Sequence, residues 1–225
     1  MTGKLIHIFK GFLDLLFPQK CLGCGIQDAI ICESCLMSFP PFLTENKPPN
    51  LPEIDEIFVA TSYENEIVKK TIWLFKYRGV KALAEPLSSL MVKKLGDKIT
   101  HLISNSSQTA VIIPIPLSRK KLKKRGYNQA EILGKCLSDK LSIKMETDVL
   151  YKIKETISQV EIKDRDKRLK NIQGVFAVKN PEIIKNKIII LVDDITTTGA
   201  TLNEAGRVLK QSGAKKIIGL TVAKG

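Results

Sequence analysis

Two adjacent carboxylates and a turn of small hydroxyl side chains are the residues whose spacing most clearly predicts chemistry. Asp193 and Asp194 follow the apolar run 188–192, and Gly199 lies in the threonine-rich turn that comes next. A buried strand that opens through such a turn into a helix directs backbone N–H groups at an anion. Carboxylates accept hydrogen bonds from vicinal hydroxyls and stabilise positive charge that develops on a sugar ring. The pattern therefore predicts a sugar-phosphate site at the carboxyl end of a parallel strand.

The same segment resembles, without a gap from 188 to 201, the signature of type I phosphoribosyltransferases. The resemblance implies that 5-phosphoribosyl-1-pyrophosphate binds here with magnesium, and that Asp193 and Asp194 are the catalytic pair that holds the ribose. A P-loop is excluded, because no Gly-Lys-Ser/Thr sequence follows Gly199. The expected ligands of the 5-phosphate are Ile195, Thr196, Thr197, Thr198, Gly199, Ala200 and Thr201.

Two further loops and a hood are implied by this resemblance. A pyrophosphate loop is expected after the strand that ends at Ile115, and the polar stretch 154–173 is long enough to be a flexible loop that closes over substrate. By position, residues 54–79 are the candidate for the hood that covers the acceptor. The expected pyrophosphate ligands are Leu117, Ser118, Arg119 and Lys120, and the flexible-loop candidates are Arg165, Lys167 and Arg168.

Four of the five cysteines form two Cys-x-x-Cys knuckles that are separated by seven residues. They are Cys21, Cys24, Cys32 and Cys35. Two such knuckles can wrap four thiolates around one tetrahedral ion, and four thiolates leave no open position for catalysis. We interpret the quartet as a structural zinc site, with a single-iron site and disulfide or redox chemistry as alternatives. Cys136, among apolar residues of a predicted helix, is expected to pack in the core.

The charge balance favours a polyanionic partner. The chain has 36 Lys and Arg against 23 Asp and Glu, a net charge of +13, which raises the local concentration of phosphoesters or nucleic acid. The basic cluster 119–127 could follow a nucleic-acid backbone, with Tyr127 as a stacking face; a solvated basic loop is the alternative. The nucleic-acid candidates are Lys120, Lys121, Lys123, Lys124, Arg125 and Tyr127.

The chain divides into four predicted parts. Residues 1–17 have apolar positions at helical spacing and are expected to form an amphipathic helix that docks onto the protein, or onto a membrane surface or partner. Residues 18–40 are the four-cysteine segment, 41–52 a proline-rich linker, and 53–225 the main domain. The first part is too short and too charged to span a bilayer, and no signal-peptide cleavage site follows it, so a cytoplasmic location is expected.

Strands alternate with helices in the main domain. Its predicted helices are 66–77, 81–95, 128–141 and 201–212, and its predicted strands are 54–63, 110–115, 149–153, 175–178, 187–192 and 216–222. The continuous apolar run 188–192 is typical of a parallel strand that is buried on both faces. We therefore predict an α/β fold: a mostly parallel, type I phosphoribosyltransferase-like sheet flanked by helices, with a small N-terminal zinc-ribbon segment.

The order of the motifs resembles the ComF family over nearly the whole chain. Phe17-Pro18 precedes the two knuckles, and the sequences 76–79 (KYRG), 114–117 (PIPL), 125–130 (RGYNQA) and 188–201 follow. ComF proteins are associated with natural competence and DNA uptake. The resemblance implies a phosphoribosyltransferase with an unidentified acceptor that acts on incoming single-stranded DNA beside a helicase partner. The alternative is a non-catalytic, single-stranded-DNA-binding accessory protein that uses the transferase fold as a ligand sensor.

Overall fold

A four-stranded parallel sheet forms the centre of the protein. The computed structural model describes residues 19–42, 51–154 and 172–225. The strands are β1 Glu56–Ser62, β2 Ala110–Pro114, β3 Leu150–Lys152, β4 Phe176–Val178, β5 Ile188–Thr196 and β6 Lys216–Lys224. The sheet has the order β1-β6-β5-β2, and β3 and β4 form a separate antiparallel pair. The predicted α/β fold with a mostly parallel sheet is confirmed.

Six α-helices surround the strands in the described part of the chain. They are α1 Glu33–Met37, α2 Glu66–Tyr77, α3 Ala84–Ser104, α4 Arg119–Arg125, α5 Gln129–Leu141 and α6 Ala200–Gln211. The predicted helix 66–77 is confirmed, and the side chain of Asn65 caps it by accepting from the backbone N–H groups of Ile67 and Val68. Helix α3 extends well past its predicted end at Leu95, because Ile99 is also buried.

Each face of the sheet has its own apolar core. On one face, residues of β2, β5 and β6 such as Ile112 and Val192 pack in one cluster with the buried positions of α2, α3 and α5. On the other face, Val111 and Leu191 pack with α6 and with the β3–β4 pair. Neighbouring residues on a strand point to opposite faces of the sheet. The side chains of the apolar run are therefore buried on both faces.

Two boundaries differ from the sequence-based expectation. Strand β5 does not end before the carboxylates but continues to Thr196, because it pairs with β6 as far as Lys224. The basic run 119–125, for which the sequence allows a pyrophosphate loop at its start and a solvated loop as one alternative, is helix α4. It begins at Ser118, whose hydroxyl accepts the N–H of Lys121, and ends at Gly126.

The cysteine segment is docked on the main domain. The carbonyl oxygen of Pro40 accepts the Thr61 hydroxyl at 2.7 Å and the backbone N–H of Ser62 at 3.3 Å. Helix α1 packs on α3, where Glu33 forms an ion pair with Lys93. The segment also adds Leu36 and Phe39 to the core beneath it, so the packing extends that core.

Some predicted parts lie outside the described residues. They are the helix within 1–17, linker residues 43–50, and the flexible-loop candidates Arg165, Lys167 and Arg168. The proposed four-part division of the chain stays a prediction. Within the described ranges, no helix combines the length and the apolar character that a bilayer crossing requires.

Candidate functional site

The carboxylate pair lies near the end of β5, at the carboxyl edge of the sheet. Because β5 continues through both residues, Asp193 and Asp194 project toward opposite faces of the sheet. Asp194 is buried; its Oδ1 accepts the backbone N–H of Ile195 at 2.7 Å and lies 2.9 Å from the ammonium of Lys76. Oδ1 of Asp193 accepts the N–H of Asp194 at 2.8 Å. Each carboxylate therefore has a fixed position beside the threonine turn.

The two carboxylates are electrostatically coupled. Burial, together with repulsion from Asp194, raises the pKa of Asp193 to about 7, although the Lys76 ammonium acts in the opposite direction. Burial would lower the pKa of Lys76, but the carboxylates of Asp194 and Asp193 outweigh it and raise this pKa above its ordinary value. Lys76 therefore stays protonated, and Asp193 can exchange a proton near neutral pH.

The threonine turn after β5 has a glycine in the left-handed region. Gly199 has φ +76° and is the N-cap of α6, and the Thr198 hydroxyl accepts the N–H of Ala200 at 3.4 Å. A Cβ at Gly199 would lie 2.3 Å from Cδ1 of Leu51, which is buried against the turn. Both the backbone conformation and this close contact require glycine.

A buried hydroxyl without a partner lies next to Asp193. Thr221 of β6 is the register partner of Asp193, and residues in parallel register point to the same face. Its Oγ1 is the one buried side-chain polar atom of the described residues that lacks a hydrogen bond. Buried polar atoms are nearly always satisfied, so the unpaired hydroxyl distinguishes this position from the apolar residues around it.

The cysteine quartet is arranged as a metal cluster. The four Sγ atoms of Cys21, Cys24, Cys32 and Cys35 lie within 4.8 Å of one another, and those of Cys24 and Cys32 are 3.6 Å apart. Zinc with Zn–S bonds of about 2.3 Å in a tetrahedron needs S–S separations of about 3.8 Å. The donor set therefore fits one tetrahedral ion once the more widely separated Sγ atoms move closer by up to about 1 Å.

The thiols of this cluster differ in their acidity. Burial opposes ionisation of Cys21, but backbone N–H groups of Cys32, Cys24 and Gly23 bring its pKa down to about 6. Hydrogen bonds that the protonated Cys35 thiol makes with the side chains of Cys32 and Cys24, together with desolvation, raise the pKa of Cys35 to about 12. A bound cation would remove this conflict, since thiolates are the metal-binding form.

Comparison with known proteins identifies the family. The family described as "Phosphoribosyl transferase domain" matches residues 122–225. Competence protein F of Haemophilus influenzae is 32% identical over 221 residues, which cover 95% of this chain and 93% of that protein. The chain belongs to the ComF family of competence proteins.

Two more distant likenesses accompany this match. The DNA utilization protein YhgH of Escherichia coli strain K12 is 27% identical over 207 residues, 88% of this chain and 80% of that protein. A crystal structure of a hypoxanthine phosphoribosyltransferase from Staphylococcus aureus aligns with a TM-score of 0.35 at 17% identity, covering 62% of this chain and 64% of that one.

In this ComF protein the RGYNQA sequence connects the elements of the site. Asn128 caps α5 through the N–H of Ala130, and its amide donates to the carbonyl of Ile115 just past the end of β2, at 3.0 Å. The Gln129 amide donates to the carbonyl of Lys76 at 3.3 Å. The sequence therefore joins the end of α2 to the edge of the sheet next to Asp194.

Tyr127 is buried, although the sequence predicted an exposed ring that could stack on a base. Its side chain is only 6% exposed, its ring packs against Phe75 with centroids 6.0 Å apart, and its hydroxyl donates to the carbonyl of Phe75. The ring is packed in the hydrophobic core and therefore has no free face on which a base could stack. The exposed aromatic side chains on this side are instead Trp73 and Tyr77, at 47% and 51% exposure, one turn apart on α2.

The predicted pyrophosphate residues are divided between two environments. Leu117 is partly buried and Ser118 is buried, with the Ser118 hydroxyl acting as the cap of α4. Arg119 and Lys120 are exposed on the first turn of that helix. The remaining nucleic-acid candidates also lie on α4, where Lys123 and Lys124 are exposed and Lys121 and Arg125 partly buried. Their assignment to a ligand stays a prediction.

The predicted hood is also divided. Strand β1 is an edge strand of the central sheet, whereas α2 reaches the carboxyl edge through Lys76, which pairs with Asp194. Lys76 was not predicted as a site residue, although it stands in the KYRG sequence. An ion-pair partner on another element leaves no local spacing signal, and this is why sequence reasoning missed it.

Replacing Gly23 with Ala should empty the metal cluster. A Cβ at this position would lie 2.6 Å from Sγ of Cys35 and would displace that ligand. We expect wild-type protein to contain one zinc per chain by elemental analysis, and the Gly23→Ala variant to contain much less. Gly25→Asn is the matched control, because Gly25 has φ +76° and open space around it and Asn tolerates that conformation. Equal zinc content in both variants would contradict the assignment.

Replacing Asp193 with Asn should stabilise the protein increasingly as pH rises. The pKa of Asp193 is about 7 in the folded protein and near 4 in an unfolded chain. Ionisation therefore disfavours folding, and wild-type stability falls as pH rises through this window. We expect a gain in the free energy of unfolding on the order of 1–3 kcal/mol at about pH 8 and little gain at about pH 4. Urea unfolding measures it, with exposed Asp139→Asn as control; a pH-independent gain would refute the raised pKa.

Proposed function

We propose that this ComF protein binds 5-phosphoribosyl-1-pyrophosphate with magnesium at the carboxyl edge of β5 and transfers the phosphoribosyl group to an acceptor. The observation that carries the proposal is the carboxylate pair next to the turn that opens α6, in which Asp194 is buried and Asp193 is partly buried. The turn directs backbone N–H groups and the positive end of the α6 dipole at one point, which suits the 5-phosphate. The carboxylates suit the ribose hydroxyls next to it.

The reaction follows from these placements. The bond between the anomeric carbon and the pyrophosphate oxygen breaks, a nucleophile of the acceptor bonds to that carbon, and pyrophosphate leaves. Asp193 and Asp194 supply negative charge where the sugar ring becomes positive in the transition state. Magnesium, bound with the diphosphate, would offset the charge of the leaving group. Arg119 and Lys120 at the start of α4 are the proposed cations for that diphosphate.

We also propose that the cysteine quartet binds one structural zinc ion. The segment contributes few side chains to the core, and metal binding worth roughly 10–16 kcal/mol in small zinc peptides would supply what the segment lacks. The geometry of the four Sγ atoms supports zinc, and four ligands leave no position for substrate.

The expected cytoplasmic location and helicase partner stay predictions.

Gly199→Ala should weaken donor binding. The added Cβ would strain a residue at φ +76° and would clash with Leu51. The turn would have to change its conformation, and its backbone N–H groups would no longer point at one phosphate position. We expect calorimetry to show magnesium-dependent binding of 5-phosphoribosyl-1-pyrophosphate by wild-type protein and an affinity about tenfold lower or worse in the variant. Pyrophosphate release in the presence of purine or pyrimidine bases then tests turnover.

The matched control is Gly213→Ala. Gly213 has φ +98° but follows the far end of α6, and the atoms that a Cβ there would approach belong to Lys185, at 3.6 Å or more. The control therefore carries similar backbone strain without touching the turn, and its donor affinity should stay within about twofold of wild type. Wild-type protein that takes up no donor, or a control that fails equally, would refute the assignment.

A second candidate function is binding of single-stranded DNA on the surface formed by α2 and α4. Trp73 and Tyr77 are exposed, and the guanidinium groups of Arg78 and Arg125 lie 5.7 and 5.0 Å from their ring centroids. Exposed aromatic rings beside cations are typical of surfaces that stack bases and follow a phosphate backbone. The name of the relative YhgH, a DNA utilization protein, agrees with this candidate.

Trp73→Ala should weaken DNA binding without changing its salt dependence. Loss of one stacking ring costs about 1–3 kcal/mol, while the number of phosphate contacts stays the same. Lys123→Ala with Lys124→Ala should instead reduce the slope of log affinity against log salt by about 0.7 per lost contact. Fluorescence anisotropy of labelled oligothymidylate measures both.

Tyr127→Phe is the control for this surface. It removes the buried hydroxyl that donates to Phe75, so it should lower stability and leave DNA affinity within about twofold of wild type. If Trp73→Ala binds as tightly as wild type, the aromatic surface is not the DNA site.

A further inference from the structure

The ammonium of Lys76 is largely buried and paired with one of the two carboxylates of the site. Its side chain extends from the last turn of α2 to Asp194, with Nζ 2.9 Å from Oδ1, and is only 18% exposed. Holding a lysine in one rotamer and removing its ammonium from water both cost free energy. A buried ion pair is weak grounds for a stabilising role, so the placement calls for another explanation.

The backbone at Lys76 is held from two sides. The carbonyl of Phe75 accepts the Tyr127 hydroxyl, and the carbonyl of Lys76 accepts the Gln129 amide. Both donors come from the RGYNQA sequence, which also bonds to the Ile115 carbonyl just past β2. The root of the Lys76 side chain is therefore fixed relative to the sheet edge, and its ammonium reaches Asp194 from a preset position.

The charges at this edge need a cation. Two adjacent carboxylates next to the phosphate-binding turn would repel a sugar phosphate. Among the residues that the structure describes, Lys76 is the only one that forms an ion pair with either Asp193 or Asp194. The Lys76 ammonium lies within contact distance of Asp194. With this ammonium included, the carboxylate pair has one net negative charge.

We propose that Lys76 is a positioning residue of the ribosyl-donor site: its ammonium holds the buried Asp194 carboxylate in place and neutralises one of the two carboxylate charges, so that an anionic sugar phosphate can bind beside them. This inference rests on the proposed function, since it assigns a residue to that same site. Lys76 acts on the donor through Asp194 and contributes no proton or bond to the transfer.

The test is a cycle of variants measured by calorimetry with magnesium and 5-phosphoribosyl-1-pyrophosphate. Lys76→Met keeps the length of the side chain and removes its charge, and we expect about tenfold weaker donor binding or worse. Lys76→Arg should recover part of the loss. In the Asp194→Asn background, Lys76→Met should cost little further, because the two residues act as one unit. Lys70→Met, an exposed position on the same helix, controls for net charge.

The outcomes separate the two proposals. If wild-type protein takes up no donor, the proposed function fails and this inference fails with it. If wild-type protein binds donor and Lys76→Met binds equally well, only the inference about Lys76 is overturned. Additive losses in the double variant would also overturn it, because they show that Lys76 does not act through Asp194. Thermal unfolding of each variant verifies folding, and Lys76→Arg keeps the test decisive should Lys76→Met fold poorly.

Discussion

The arrangement of the site depends on two adjacent carboxylates at the end of a central parallel strand, Asp194 buried and Asp193 partly buried. Strand β5 is paired on both sides, and its apolar residues fill the cores on both faces. At the end of such a strand the two carboxylates lose part of their hydration, and this loss together with repulsion from Asp194 raises the pKa of Asp193 to about 7. The free-energy cost is partly offset by Lys76. Sites that carry uncompensated charge of this kind are typical of function, since packing alone would favour apolar residues there.

Helix α2 connects the N-terminal segment to this site. At its first turn, Ile67 lies close to Gly23 of the first cysteine knuckle, and at its last turn Lys76 reaches Asp194. A second connection runs through Leu51, which packs on Gly199 of the threonine turn. The cysteine segment and the chain that follows it thus belong to the framework that holds the site, since both contact its elements directly.

Sequence patterns predicted the elements with strong periodicity. Helix 66–77 and the strand run of 188–192 are present as expected, because apolar spacing and caps act within a few residues along the chain. The four-cysteine spacing and the threonine turn were also recognised, because each is a pattern of residues that are close together in the sequence. The extension of β5 to Thr196 was missed, since it depends on pairing with β6, and helix α4 was missed because six charges in seven residues hide the helical signal of the Ser118 cap and Gly126.

The sequence by itself therefore determined the fold class, the family resemblance, the cysteine cluster and the position of the carboxylate pair. Tertiary structure decided which side chains surround that pair. It buried Tyr127 against Phe75, left Trp73 and Tyr77 exposed, and brought Lys76 to Asp194 across 118 positions of the chain. Burial and ion pairing arise between elements that are distant in sequence, and their energies depend on desolvation. No local pattern records that desolvation, so only the folded arrangement could show which charges are paired.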